Sequence, residues 1–205
     1  MSFLLIYTLF QAFFSHYFLI MNTYKFTEQL NDLWDYFILA DPFTLLDYKK
    51  QNNLSDDLIT NSIITNFEEE VLKKGKIIPL SGIKNYPYTI YFNLKGTNIE
   101  LLKPKNNLQI RQDGYIVEVT QEKICLFTIP YLKNFNLETI EKLLKVRKAQ
   151  IKIPNGLYSV SILAGQTEQK TGTEPTFEFV ILPVDKEYKF SATLNTSFSI
   201  VSEDY

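Results

Sequence analysis

The sequence predicts an α+β fold dominated by antiparallel sheet, and three observations carry that expectation. Short runs of β-branched and aromatic residues, several with strict alternation, recur along most of the chain. Two stretches show helical periodicity with matching ends, and Gly, Asn-Gly or Pro punctuates the intervals. Strand-rich chains with a few helices fold as sheets with helices laid against one side.

The first element is apolar. The segment from Phe3 to Met21, FLLIYTLFQAFFSHYFLIM, carries no formal charge, and as a helix it would be roughly 28 Å long, close to a bilayer core. Three readings stay open: a hydrophobic N-terminal helix that anchors the protein to a membrane, a helix packed in the core, or a true start at Met21. Ordinary mixed composition begins at once after Met21. No basic n-region or small-x-small cleavage site marks a cleaved signal peptide.

Beyond it, residues 22–205 read as one α+β domain. Strands are expected at 34–40, 76–79, 86–94, 98–102, 107–111, 114–120, 123–129, 150–153, 157–163, 176–184, 188–194 and 197–202. The first main helix runs over SDDLITNSIITNFEEEVLKKG. Ser55 is its N-cap, Asp56 and Asp57 lie in the positive first turn, Ile59, Ile63, Phe67 and Val71 form its apolar stripe, and Gly75 ends it. The second runs from Asn136 over NLETIEKLLKVRKA, with Leu137, Ile140, Leu143 and Leu144 on one face. Asp113-Gly114, Asn155-Gly156 and Thr171-Gly172 mark turns, and Gly165–Pro175 reads as a polar, mobile hairpin loop.

The order strand, X-Pro-aromatic turn, helix, Lys-x-x-Ile-x-x-Pro or a near variant, Gly, strand occurs twice, which points to two pseudo-repeated β-α-β units, 34–120 and 122–202. Pro42 then corresponds to Pro130, Pro79 to Pro154, Gly82 to Gly156 and Tyr88 to Tyr158. The alternative is that strand–turn–helix–strand grammar recurs in any α+β chain.

Composition narrows the function. The chain holds 21 basic and 23 acidic residues, net −2, and its only arginines are Arg111 and Arg147, so no concentrated footprint for nucleic acid is evident. One Cys and one His exclude intramolecular disulfides and Cys/His zinc sites. No phosphate-binding loop, dinucleotide fingerprint, nucleophile elbow or zinc-protease motif occurs, so no cofactor or metal is expected. Trp34 and Cys125 read as core residues, and His16 as a bystander within the apolar segment.

Carboxylates are the remaining chemical resource. Asp32, Asp35, Asp41 and Asp47 flank the segment 33–48, where a close pair could serve a hydrolase or bind a cation; Asp41 before Pro42 is equally a turn initiator. Glu68, Glu69 and Glu70 form either an acidic patch for a basic partner or the solvated face of a helix.

Finally, the segments IKIPNGLYSVSILAG and PTFEFVILPV, through Ile153, Pro154, Gly156, Tyr158, Val160, Ile162, Glu178, Phe179 and Val180, resemble a pattern in small β-rich bacterial proteins, among them immunity proteins of polymorphic-toxin and effector systems. The resemblance implies a cytoplasmic, non-enzymatic protein that neutralises a cognate toxin by stoichiometric binding. Its expected contact residues are Asp35, Asp41, Asp47 and Tyr48, with Glu68, Glu69 and Glu70 as a second choice, because aromatic anchors ringed by charge supply affinity and on-rate. The alternatives are a membrane-tethered structural or accessory domain and a carboxylate-based hydrolase.

Overall fold

The computed structural model describes residues 22–29, 35–60, 67–170, 172–193 and 196–202. The N-terminal segment 1–21, Asp32, Trp34, Ile63 and Thr171 lie outside the described residues, as do the side chains of Phe67 and Glu68. Among the described residues no helix is long and apolar enough to cross a membrane.

The architecture is α+β, with two mostly antiparallel sheets and helices along one side. In chain order the elements are β1 (Thr23–Gln29), β2 (Tyr36–Ala40), α1 (Pro42–Gln51), α2 (Phe67–Lys73), β3 (Ile78–Ser81), β4 (Pro87–Asn93) and a 3-10 turn (Glu100–Leu102). They continue with β5 (Asn107–Val119), β6 (Lys123–Thr128), a second 3-10 turn (Ile129–Asn134), α3 (Leu137–Val146), β7 (Gln150–Lys152), β8 (Gly156–Gln169) and β9 (Gly172–Val184). The larger sheet has the order β1-β4-β9-β8-β5 and the smaller β3-β2-β6-β7. All pairs are antiparallel except β4 with β9.

Strand periodicity builds the layers. Along β2, Phe37 and Leu39 face the larger sheet while Ile38 and Ala40 face the helices; β6 divides Ile124 and Leu126 from Cys125 and Phe127 in the same way. The smaller sheet is therefore apolar on both sides. Its inner face meets Tyr88, Ile90, Phe92, Phe177, Phe179 and Ile181 of the larger sheet, and its outer face meets Leu45, Leu46, Val71, Ile140 and Leu143 of the helices. Phe37, Tyr88 and Phe177 form the aromatic centre, with ring centroids 5.3–6.0 Å apart.

Several expectations are corrected. Residues 42–51 form a helix rather than a turn: Asp41 is its N-cap and Pro42 occupies the first position, where a missing N–H has no consequence. β1 was not expected, because one of its three inward positions is Glu28 rather than an apolar residue. The segment at 58–60 is capped not by Ser55 but by Asp57, whose Oδ1 accepts from the Ile59 and Thr60 amides. Gly75 does end α2: its amide donates to Leu72 O, and Lys76 N donates to Val71 O. In α3, Ile140 and Leu143 are buried while Leu137 is exposed.

The expected strand at 98–102 is a loop with one 3-10 turn, and 107–119 is one strand whose register shifts absorb Asp113-Gly114 as a bulge. The Gly165–Pro175 stretch is paired strand up to Gln169↔Gly172, with Thr167 fully buried. The segments 188–193 and 196–202 form no ladder beyond a single bridge, Ser81↔Ser197. They pack as a strap, with Ala192, Phe198 and Ile200 entering the core.

Candidate protein-binding surface

The expected contact residues fall on the helical side but play different parts. Asp41 is fully buried and must be withdrawn from any surface. Its Oδ1 accepts from the amides of Phe43 and Thr44 at 3.0 and 3.3 Å, and its Oδ2 from Thr44 Oγ1 at 2.8 Å and the amides of Thr120 and Gln121 at 2.9 Å. A local N-cap thus doubles as the anchor for the turn between β5 and β6.

Tyr48 and the Glu run, expected as separate choices, come together. The Tyr48 hydroxyl donates to Glu70 Oε1 at 3.2 Å, across the α1–α2 contact. Tyr48 itself is only 6% exposed, and burial raises its phenol above the ordinary value. Lys74 Nζ stands 5.2 Å from its ring centroid and 2.6 Å from Glu70 Oε1. That ammonium bond, more than the tyrosine, holds the Glu70 carboxyl below its usual range. Glu69 pairs with Lys73 at 2.5 Å, again one helical turn on. Asp35 and Asp47 are exposed. Glu69 and Glu70 are thus each matched by a lysine, one on their own helix and one in the turn after it.

Two buried carboxylates that sequence reasoning did not single out as polar anchors do comparable work elsewhere. Glu28 on β1 accepts from the amides of Lys148 and Ala149 at 2.5 and 2.7 Å, with Arg147 Nη1 3.6 Å away. It fixes the exit from α3 into β7. Glu178 is fully buried on the outer face of β9. It accepts from Asn93 Nδ2 and from the amide of Leu101, both at 3.0 Å.

Asn93 completes that second anchor, its Oδ1 accepting from the amides of Lys95 and Gly96 and its Nδ2 donating also to Thr97 O. At the loop's far end Asn106 Nδ2 donates to Glu100 O at 2.7 Å, and its Oδ1 accepts from Glu168 N. The connection from 94 to 106 is therefore pinned at both ends, and it covers a small cluster of Leu101, Leu163 and Val180. The legible signal was an acidic residue on the alternating pattern of β9, with an Asn closing β4.

Cys125 is buried in the helix-facing layer, and burial pushes its thiol far above the ordinary value. No group of three or more His, Cys, Asp or Glu that could hold a metal ion occurs among the described residues.

No family model matches the chain, and no curated protein matches it. Among solved structures, the crystal structure of ComJ from Bacillus subtilis, described as an inhibitor of the DNA-degrading activity of NucA, aligns with 80% of this chain and 96% of that one. The TM-score is 0.39 and the identity 11%, a likeness too distant to transfer residues or a role.

Proposed function

We propose that this chain is a protein-binding inhibitor of the immunity type, acting by occupying a partner's surface in a stoichiometric complex. One observation carries the reading: the buried carboxylates Asp41, Glu28 and Glu178 are all committed to backbone amides of surface connections, at 120–121, 148–149 and 101. Burying a carboxylate costs several kcal/mol unless it is well paired. Here that cost is met in order to hold loops in one shape, and a binding surface ordered in advance loses less entropy on docking. The same bonds occupy the Asp41 oxygens that a carboxylate-pair hydrolase in this region would need.

The test is binding. The purified full chain is titrated calorimetrically with the protein encoded by the gene next to its own, an immunity gene being expected directly beside its toxin. A saturable complex of fixed stoichiometry, with protection of cells that express the neighbour, is the expected result. Absence of any complex overturns the proposal. Reversing the exposed charges together, Asp47→Lys with Glu69→Lys, shows whether the helical side takes part.

A further inference from the structure

Both sheets read the same from either edge. In the smaller one, β2 and β6 pair at the centre and each carries one antiparallel edge strand, β3 and β7. In the larger one, β9 is flanked by β4 with β1 on one side and by β8 with β5 on the other. The registers agree residue by residue. Matching Tyr36–Ala40 with Lys123–Phe127 turns the pair Ile38↔Phe127 into Ala40↔Cys125 and returns Leu39↔Leu126 to itself, so a two-fold axis passes through that leucine pair. Both leucines face the larger sheet. There, matching Tyr88–Phe92 with Tyr158–Ile162 sets Phe92 and Ile162 both opposite Phe179, and Ile90 and Val160 opposite Phe177 and Ile181 on either side of it. The edge strands follow: Phe26 opposes Ile90 as Tyr115 opposes Val160, and Leu80 opposes Phe37 as Ile151 opposes Ile124.

Side chains and bonds repeat with the strands. The runs IKNYPY at 83–88 and IPNGLY at 153–158 share Ile, Asn and Tyr at the same spacing. In each, the isoleucine amide donates to the residue just before a central strand, Asp35 O at 3.1 Å and Glu122 O at 3.0 Å. In each, the buried tyrosine donates its hydroxyl to the carbonyl four positions earlier, Lys84 O at 2.9 Å and Pro154 O at 2.7 Å. Contacts across the axis are reciprocal. Glu28 on β1 accepts from the amides of Lys148 and Ala149 after α3, and the Glu118 amide on β5 donates to Gly75 O after α2. A surface that meets its own copy in this way is the interface of a two-fold dimer.

We infer that this chain is a two-fold dimer fused into one polypeptide: β1 to β4 and β5 to β8, within 23–93 and 111–163, are two copies of one strand-strand-helix-strand-strand unit, with β9 on the axis between them. These units replace 34–120 and 122–202. Tyr88 stays matched with Tyr158, whereas Pro79 now matches Gln150, and Gly82, at φ +77°, is an extra residue of the first copy. The symmetry also accounts for the one parallel pair. β4 and β8 run in opposite directions, so a strand laid between them must be parallel to one of the two. This inference stands apart from the inhibitor reading.

The experiment substitutes every position of the full chain and reads folding by resistance to protease. The residues accepted at each position of the first copy are compared with those accepted at its counterpart, Ile83 with Ile153, Tyr88 with Tyr158, Leu39 with Leu126. Agreement should be greatest at the correspondence set by the ladders. It should fall when one copy is slid by two positions, a shift that keeps inward and outward faces aligned. Equal or better agreement after sliding overturns the inference. A second variant exchanges 83–88 with 153–158 in the full chain, and one cooperative unfolding transition should survive. Exchanging 78–83 with 153–158, which sets Pro79 on Pro154, should abolish it. Survival of that exchange with loss of the first overturns the inference too, and if neither exchanged chain folds the substitution scan alone decides.

Discussion

Replacing Asp41 by Asn separates two roles that a capping residue normally does not combine. For a simple N-cap, Asn and Asp are nearly equivalent, and the exchange should alter stability by no more than about 0.5 kcal/mol. In this protein the retained carbonyl oxygen can still serve the amides of Phe43 and Thr44. The new NH2 group, however, replaces the oxygen that accepts from Thr44 Oγ1 and from the amides of Thr120 and Gln121. Two N–H donors would then face an NH2 donor. At about 1 kcal/mol for each bond lost, and with a discount because Thr120 is only half-buried and Gln121 exposed, the expected loss is about 2–3 kcal/mol. Asp41→Ala, which removes the cap as well, should cost about 3–5 kcal/mol. Urea unfolding followed by far-UV circular dichroism reads both values, provided that the m-value is unchanged. A loss below about 0.5 kcal/mol for Asn would refute the claim that Asp41 ties α1 to the β5–β6 turn, reducing it to an ordinary cap.

Three further outcomes follow from the same structure. A Cβ at Gly114, where φ is +90°, would stand 2.6 Å from Ser191 Oγ and 2.8 Å from Ala192 N. Gly114→Ala should therefore cost about 1–3 kcal/mol and strip hydrogen-exchange protection from the amides of Ser191 and Ala192, which donate to Gly114 O. Asp56 is held below its usual value of 3.8, first by the Lys49 ammonium and then by Asn136. A depressed carboxyl contributes stability that is complete above the unfolded value and is lost as pH falls through the folded one, so the stability gap between wild type and Asp56→Asn should close as pH drops below about 4. Burial pushes Tyr158 up to about 12 from an ordinary 10.0. Because the neutral phenol is favoured in the fold, stability should fall as pH rises from 10 towards 12, and Tyr158→Phe should remove that portion of the alkaline loss along with the bond to Pro154 O.

The sheet was legible where one side of a strand is uniformly apolar, as in Tyr158, Val160 and Ile162 of β8 and in Phe177 and Phe179 of β9. It was misread where polar residues occupy buried positions. The hairpin tip reads as loop because Thr167 and Thr176 meet through their hydroxyls at 2.7 Å instead of through apolar contact. β1 hides behind Glu28. α1 lacks a helical stripe because Thr44, Leu45, Leu46, Tyr48 and Lys49 are buried on several sides, although Asp41-Pro42 at its start and Lys49-Lys50 at its end were available as terminus signals. In the candidate surface, sequence placed the acidic residues on neighbouring elements, and Tyr48 does meet Glu70. It could not show that Asp41 points inward. A carboxylate binding amides almost eighty positions away leaves no local trace.

The place of β9 in the larger sheet has a consequence for synthesis. Residues 172–184 leave the ribosome after every other strand of the larger sheet, yet they form its middle strand, bordered by β4 in parallel and β8 in antiparallel register. Until they emerge, β4 can pair only with β1 and offers its other edge, with Ile90 and Phe92 beside it, to any passing strand. The nascent chain therefore cannot lay down its larger sheet progressively from the N-terminus. It must keep an open, apolar half-sheet until the final hairpin inserts, a long-range closure that is slow by its topology. Chains cut short before residue 184 would be left with a sheet lacking its centre rather than its margin, and these are the species from which aggregation would start.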